Sequence, residues 1–135
     1  MTMGDCPFCK IIASESAAEI VDEDDRTVAF MEREPATLGH ALVVPRRHAR
    51  DLLEVSDEDL VATAAAARRL AARAVSRLGA DGVNVVNSCG RAARQTVFHF
   101  HIHVIPRYEG DRVRLAWRST PGRDDDIAAV AAELR

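Results

Sequence analysis

Histidine alternates with apolar residues from position 99 to 104, His-Phe-His-Ile-His-Val, and this alternation constrains the fold more than any other feature of the chain. In an extended strand successive side chains leave opposite faces, so His99, His101 and His103 share one face and Phe100, Ile102 and Val104 the other. Imidazoles on that face stand roughly 6.6 Å apart along the strand, at about 3.3 Å per residue. One face suits a core and the other suits chemistry. The other two histidines, His40 and His48, lie in Gly-His-Ala-Leu-Val-Val-Pro-Arg-Arg-His, so all five occupy two short stretches. A strand that merely faced solvent would carry Thr, Ser, Lys or Glu there at no cost.

Three uses of such a face compete. Imidazole is the commonest metal ligand, but successive side chains of one flat strand splay and seldom converge on one ion without ligands from elsewhere. A pH sensor needs a bistable element to bias, and nothing in the sequence marks one. A phosphoryl site uses the spacing best: one imidazole attacks phosphorus while a protonated neighbour stabilises the anionic oxygens. Neighbouring imidazoles disfavour double protonation, which keeps one of them nucleophilic near pH 7. His101, with an imidazole expected on either side, is the best-placed attacker.

The 135 residues suffice for one domain and one core, so residues 1–135 read as a single domain. Apolar residues make up 47% and charged residues 29%, and no apolar run reaches the ~18 residues a bilayer span requires. The opening Met-Thr-Met-Gly-Asp-Cys has neither the basic stretch nor the apolar core of a signal peptide, so the cytoplasm is the expected location. A net charge of −3 gives no domain-wide positive field for a nucleic acid backbone, and no membrane partner is expected. Any phosphate bound here is small and locally held.

From Ser56, where Ser-x-x-Asp offers an N-cap and an acidic first turn, Leu60, Ala64, Ala67, Ala71, Ala74, Val75 and Leu78 recur at helical spacing until Gly79. The alanine face of this long helix allows close packing on a sheet. Strands are expected over Thr27–Met31, Ala41–Val44, Gly82–Asn87 and Val97–Ile105, and short helices over Phe8–Ala13 and Asp125–Leu134. This is an α+β fold: an antiparallel sheet of about five strands, one long helix and short terminal helices.

The His-x-His-x-His stretch with its apolar spacers resembles the signature of the histidine triad (HIT) nucleotide hydrolases and transferases. Asn87, Gln95-Thr96-Val97-Phe98 and Gly39-His40 with Leu42-Val43-Val44-Pro45 resemble the same family, and the likeness runs from Cys6 to Arg107 almost without gaps. The resemblance implies a nucleoside 5'-phosphate with its α-phosphorus over the triad. It implies His101 as the nucleophile that forms a nucleotidyl-histidine, His103 as the phosphate contact, Gln95 and Thr96 as hydrogen-bond donors, and His40 as a supporting member. Asn87 would line the site near sugar and phosphate, and Phe8, Ile11, Phe30 and Leu42 would form an apolar purine slot. The family also pairs as homodimers through the long helix and a strand.

Two positions depart from the family pattern. Glu32 stands where many members carry an Asp that grips the ribose hydroxyls; it can still accept both hydrogen bonds. Arg94 stands where many have Gly, and an arginine beside a phosphate site can grip a polyphosphate or acidic leaving group through paired hydrogen bonds.

Cys6 and Cys9 form a C-x-x-C ahead of the first expected strand, whereas thioredoxin-like redox pairs sit at the end of a central strand entering a helix. The pair with two histidines fits a closed Cys2His2 zinc site, and a metal-free pair is the other reading. His48 and His99 are the candidate partners because His101 and His103 are needed for phosphate; zinc-bearing relatives of the family are similar in placing the first triad histidine on the metal. A zinc held there would be structural, and no soluble cofactor is implied. Neither G-x-x-x-x-G-K-[ST] nor G-x-G-x-x-G occurs. The expected activity is hydrolysis at the α-phosphorus of a nucleoside 5'-phosphate conjugate of phosphoramidate or adenylyl type. A dinucleoside polyphosphate hydrolase and a non-catalytic nucleotide-binding module are the alternatives.

Overall fold

The structure is a computed structural model that describes residues 3–115 and 117–135. After a 3-10 turn at Met3–Asp5, helix α1 spans Pro7–Ile12. Pro7 opens it, since the first helical N–H has no partner to lose, and Cys6 caps it, its Sγ accepting from the Cys9 N–H at 3.3 Å. Strands β1 (Ile20–Glu23), β2 (Thr27–Met31) and β3 (Ala41–Pro45) lead to helix α2 (Asp57–Leu78). Strands β4 (Gly82–Val86) and β5 (Ile102–Arg107) and helix α3 (Asp124–Leu134) follow, with a 3-10 turn at Arg91–Ala93 between the two strands. The strands form one antiparallel sheet in the order β1-β2-β3-β5-β4. The α+β architecture of five strands and one long helix is as expected.

Helix α2 begins where the Ser56 hydroxyl accepts from the Asp59 N–H at 3.2 Å and ends at Gly79, whose φ of +69° is left-handed. Its buried residues Ala66, Ala67 and Leu70 pack on Ala29, Ala41, Val43, Phe100, Ile102 and Val104. The other face of the sheet carries Val28, Phe30, Leu42 and Val44, closed by Cys6 and Phe8 from α1 and its start. Register sets a row across that second face: Phe30 opposes Leu42, and Leu42 opposes His103.

Two elements differ from expectation. Strand β1 was not anticipated; only four residues long, with an irregular register between Ile20 and Asp22, it carries too little periodicity to be read. The expected strand Val97–Ile105 begins instead at Ile102 and runs to Arg107. Continuing the β3–β5 register (Ala41 with Val104, Val43 with Ile102) would set Phe100 opposite Pro45, which has no N–H to offer. The Phe100 N–H turns to the Ala49 carbonyl at 2.7 Å. Residues 97–101 therefore lie outside the ladder, yet side-chain alternation persists, with Phe100 and Ile102 in the α2 core.

Ala66 is fully buried where α2 packs on the sheet. Ala66→Leu should cost about 1–3 kcal/mol through overpacking, measured as a lowered urea midpoint at constant slope.

Candidate active site

Between α1 and the second face of the sheet lies a cavity of about 470 Å³. Phe8, Ile11, Phe30, Leu42 and Val97 supply its apolar wall, while Glu32, Arg94, Thr96, His101 and His103 supply polar groups. Phe8 meets Phe30 edge-on at 5.3 Å and His101 at 5.1 Å between ring centroids. Five anticipated binding residues, Phe8, Ile11, Phe30, Glu32 and Leu42, thus share one cavity. The volume is that of a small-molecule site.

Main-chain groups fix where each imidazole carries its proton. His101 Nδ1 lies 2.7 Å from the His99 carbonyl, which can only accept, so Nδ1 holds the hydrogen and Nε2 keeps a lone pair. His40 Nδ1 accepts from the Ala36 N–H at 2.9 Å, so the hydrogen of neutral His40 is on Nε2. That Nε2–H donates to His103 Nδ1 at 2.9 Å and leaves the His103 hydrogen on Nε2. Burial lowers the pKa of His40 and of His101. Burial, reinforced by His101 and His40, holds His103 down at about 4. All three are neutral at pH 7, in complementary tautomers: His101 offers a lone pair on Nε2 and His103 a hydrogen. Glu32 lies close to His40 and His103, but the proton shared by the two imidazoles leaves no lone pair between them for a cation.

Several expected placements are corrected. His101 has an imidazole neighbour on one side only: His103 stands 5.1 Å away, whereas the His99 ring turns to His48 at 4.9 Å and Phe8 contacts both His99 and His101. Gln95 is buried and both its amide hydrogens are spent, on the carbonyls of Arg50 and Val97 at 2.9 and 3.1 Å. Its Oε1 accepts from the Gly90 N–H, so Gln95 clamps the loop. Asn87 does not line the cavity; its Nδ2 donates to the His101 carbonyl at 2.9 Å, and its buried Oδ1 has no hydrogen-bond partner among the described residues. His40 sits behind His103, outside the lining, and Thr96 is in it. Ala36 was missed, since a main-chain N–H leaves no trace in side-chain chemistry.

Arg94 has a φ of +69°, left-handed, in a loop held by the bond of its own N–H to the Arg91 carbonyl and of the Gln95 N–H to the Gly90 carbonyl. A side chain in that conformation costs of order 1–3 kcal/mol, which glycine would avoid.

Beside the cavity, Cys6, Cys9, His48 and His99 bring four donor atoms within 4.8 Å of one another. Cys6 Sγ lies 3.4 Å from His99 Nδ1, and Cys9 Sγ lies 3.4 Å from His48 Nδ1 and 3.5 Å from His99 Nδ1. The two Nδ1 atoms are 3.2 Å apart. A tetrahedral zinc with bonds of about 2.3 Å to sulfur and 2.05 Å to nitrogen places sulfur about 3.6 Å from nitrogen and the nitrogens about 3.3 Å apart, so the residues fit that ion. His99 Nε2–H donates to the Pro45 carbonyl at 2.8 Å, which turns the Nδ1 lone pair toward the cluster. Burial, then the adjacent Cys6 thiol, push the Cys9 thiol up to about 11, so ionising it in place calls for a cation.

A small α+β sheet thus sets histidines of opposed tautomer at one cavity. The HIT domain model matches residues 13–110, and the chain belongs to the HIT family. An uncharacterised HIT-like protein of Mycobacterium tuberculosis is 40% identical over 130 residues, 96% of this chain and 90% of that one. The crystal structure of SMU.412c from Streptococcus mutans superposes with a TM-score of 0.93 at 32% identity, covering 98% of this chain and 85% of that one. A zinc-bound histidine triad family protein from Mycobacterium smegmatis superposes with a TM-score of 0.79 at 36% identity, covering 98% and 97%.

The depressed pKa of His103 has a sign that can be tested. Unfolded histidine titrates near 6.5, so as pH falls from about 6.5 toward 4 the unfolded chain binds more protons than the folded one and stability declines. Ring resonances of His103 in NMR should show no protonation at pH 6, and denaturation midpoints should fall across that window.

Proposed function

We propose that the protein hydrolyses nucleoside 5'-phosphate conjugates of phosphoramidate or adenylyl type at the α-phosphorus, through a nucleotidyl-His101 intermediate. The pairing of tautomers at the cavity carries this reading, on a family background that supports nucleotide chemistry in general. The base lies against Phe8, Ile11, Phe30 and Leu42, and Glu32 accepts from the ribose hydroxyls. The His101 Nε2 lone pair forms a bond to phosphorus while the bond to the leaving group breaks; the leaving group departs with the electron pair and takes a proton from solvent. Positive charge on the substituted imidazole is eased by its Nδ1–H bond to the His99 carbonyl. The His103 Nε2–H and the Thr96 hydroxyl donate to the phosphate oxygens as charge builds on them. Water then attacks the phosphorus and gives up a proton to solvent, His101 leaves with its electron pair restored, and a nucleoside 5'-monophosphate is released.

Gln95 and His40 are positioning residues in this scheme, one for the loop and one for the His103 tautomer. Asn87 holds the His101 main chain. A dinucleoside polyphosphate would follow the same path with another leaving group. The Nε2 lone pair of His101, a residue of the cavity wall, favours catalysis over binding alone.

Zinc on Cys6, Cys9, His48 and His99 would neutralise the two thiolates and tie α1 to the segment bearing His101, a structural contribution outside the reaction. The chain works as a single domain, paired as a homodimer through α2 and the edge strand β4, whose Val85 is exposed. The proposed location is the cytoplasm; among the described residues no helix is long and apolar enough to cross a membrane.

His101→Ala should abolish turnover and leave nucleotide binding largely intact, whereas His103→Ala should slow it by a factor of order 10² to 10³. Acid-quenched enzyme mixed with an α-labelled substrate should carry the label on His101; label elsewhere, or comparable turnover by His101→Ala, would overturn the assignment. Cys9→Ser should lower both zinc content, from about one ion per chain, and melting temperature, because metal affinity is coupled to folding. A metal-free protein that melts as before would show that the cluster is not structural.

A further inference from the structure

Arg94 occupies a place in the fold that its backbone would leave to glycine. Of the described residues other than glycine, only Ser14 and Arg94 have a left-handed φ, and Arg94 is the one that lines the cavity with His101, His103 and Thr96. The loop that imposes the conformation is rigid, since the Gln95 side chain ties it to the Gly90 N–H and to the Arg50 and Val97 carbonyls. The guanidinium is exposed and has no hydrogen-bonding or ionic partner among the described residues. Other exposed arginines, Arg47 and Arg68 among them, are equally unpaired among the described residues; Arg94 differs from them in lining the cavity. Arg33, the other arginine of the cavity, donates to the Ala17 carbonyl. Backbone strain that glycine would relieve, retained under an unpaired cation on the wall of the cavity that His101 also lines, has a physical use if something anionic arrives there.

We propose that Arg94 selects the leaving group: the preferred conjugates carry a further anionic group, phosphoryl or carboxylate, beyond the scissile bond. This rests on the reading of His101 as the nucleophile. In the substrate's ground state a guanidinium fork can take two oxygens of such an anion. As the bond to phosphorus breaks, electron density moves onto the departing atom and strengthens that contact, so the gain appears in the transition state and raises kcat as well as lowering KM. Arg94 makes no bond to the α-phosphorus and changes no step of the reaction. Of the cavity's other polar residues, His103 and Thr96 serve the transferred phosphate, Glu32 would repel an anion, and Arg33 commits an N–H to the Ala17 carbonyl.

A matched pair of substrates isolates the charge: AMP joined through a P–N bond to glycine, with a free carboxylate, and AMP joined in the same way to glycinamide. P1,P4-di(adenosine) tetraphosphate supplies a phosphoryl leaving group. Purified protein is compared with Arg94→Gly, which suits the left-handed backbone, and with Arg94→Lys, which keeps the charge without the fork. The readout is kcat/KM for each anionic substrate divided by that for the glycinamide conjugate. Arg94→Gly should lower this ratio about 10- to 100-fold, in line with loss of a charge-assisted pair, and Arg94→Lys should restore part of it. Its melting temperature should be no lower than that of the parent, which separates a lost contact from a damaged fold. A fall with the tetraphosphate alone assigns phosphoryl oxygens as the ligand; a fall with glycinate as well extends it to carboxylates. Ratios within twofold of the parent in Arg94→Gly would overturn the role of Arg94 while leaving His101 chemistry standing. A parent protein that turns over none of the three substrates would defeat both.

Discussion

Burial of Phe100, Ile102 and Val104 beneath the alanine face of α2 is the constraint on which the rest depends. Those side chains leave the opposite face to His101 and His103, and a shift of one residue would drive the imidazoles into the helix and the apolar groups into the cavity. Small residues on α2 matter for the same reason. With Ala66 and Ala67 at the contact, the helix sits close enough to the sheet to hold the register, and Leu42 opposes His103 in consequence. Core packing and site geometry are here two sides of the same short segment.

The chemistry draws on the main chain to an unusual degree. Three imidazoles take their tautomers from backbone groups: His99 from the Pro45 carbonyl, His101 from the His99 carbonyl and His40 from the Ala36 N–H. His103 takes its tautomer at one remove, through His40. Burial keeps His40, His101 and His103 neutral, so the proton positions survive at neutral pH without a buried carboxylate bonded to any of them. Two imidazoles thereby come to offer, one a lone pair and the other a hydrogen, by geometry and not by pKa alone.

Much of this was legible in the sequence because it is written in side-chain pattern. Alternating histidines gave their own face, the alanine periodicity of α2 gave its packing surface, and Cys6-x-x-Cys9 gave a cluster whose partners His48 and His99 follow once the phosphate site is set aside. What stayed hidden depends on distant main-chain groups. The ladder stops before Phe100 because Pro45 lacks an N–H and Ala49 supplies a carbonyl instead, and neither fact lies in the strand being read. Gln95 has the chemistry of a phosphate donor, and only the positions of Gly90, Arg50 and Val97 show that it is already committed. Strand β1 is too short for periodicity to mark it, and nothing in the letters at position 94 announces a left-handed backbone.

Helix α1 is six residues long, too short to hold its shape alone in water, yet it supplies Phe8 and Ile11 to the cavity wall. Its firm attachments are the sulfurs of Cys6 and Cys9, which meet His48 and His99 on the far side of the same turn. Cluster and cavity are therefore thermodynamically linked through one turn of helix. An ion bound by the sulfurs would firm that wall, and by reciprocity a molecule seated against Phe8 would strengthen the hold on the ion by the same factor.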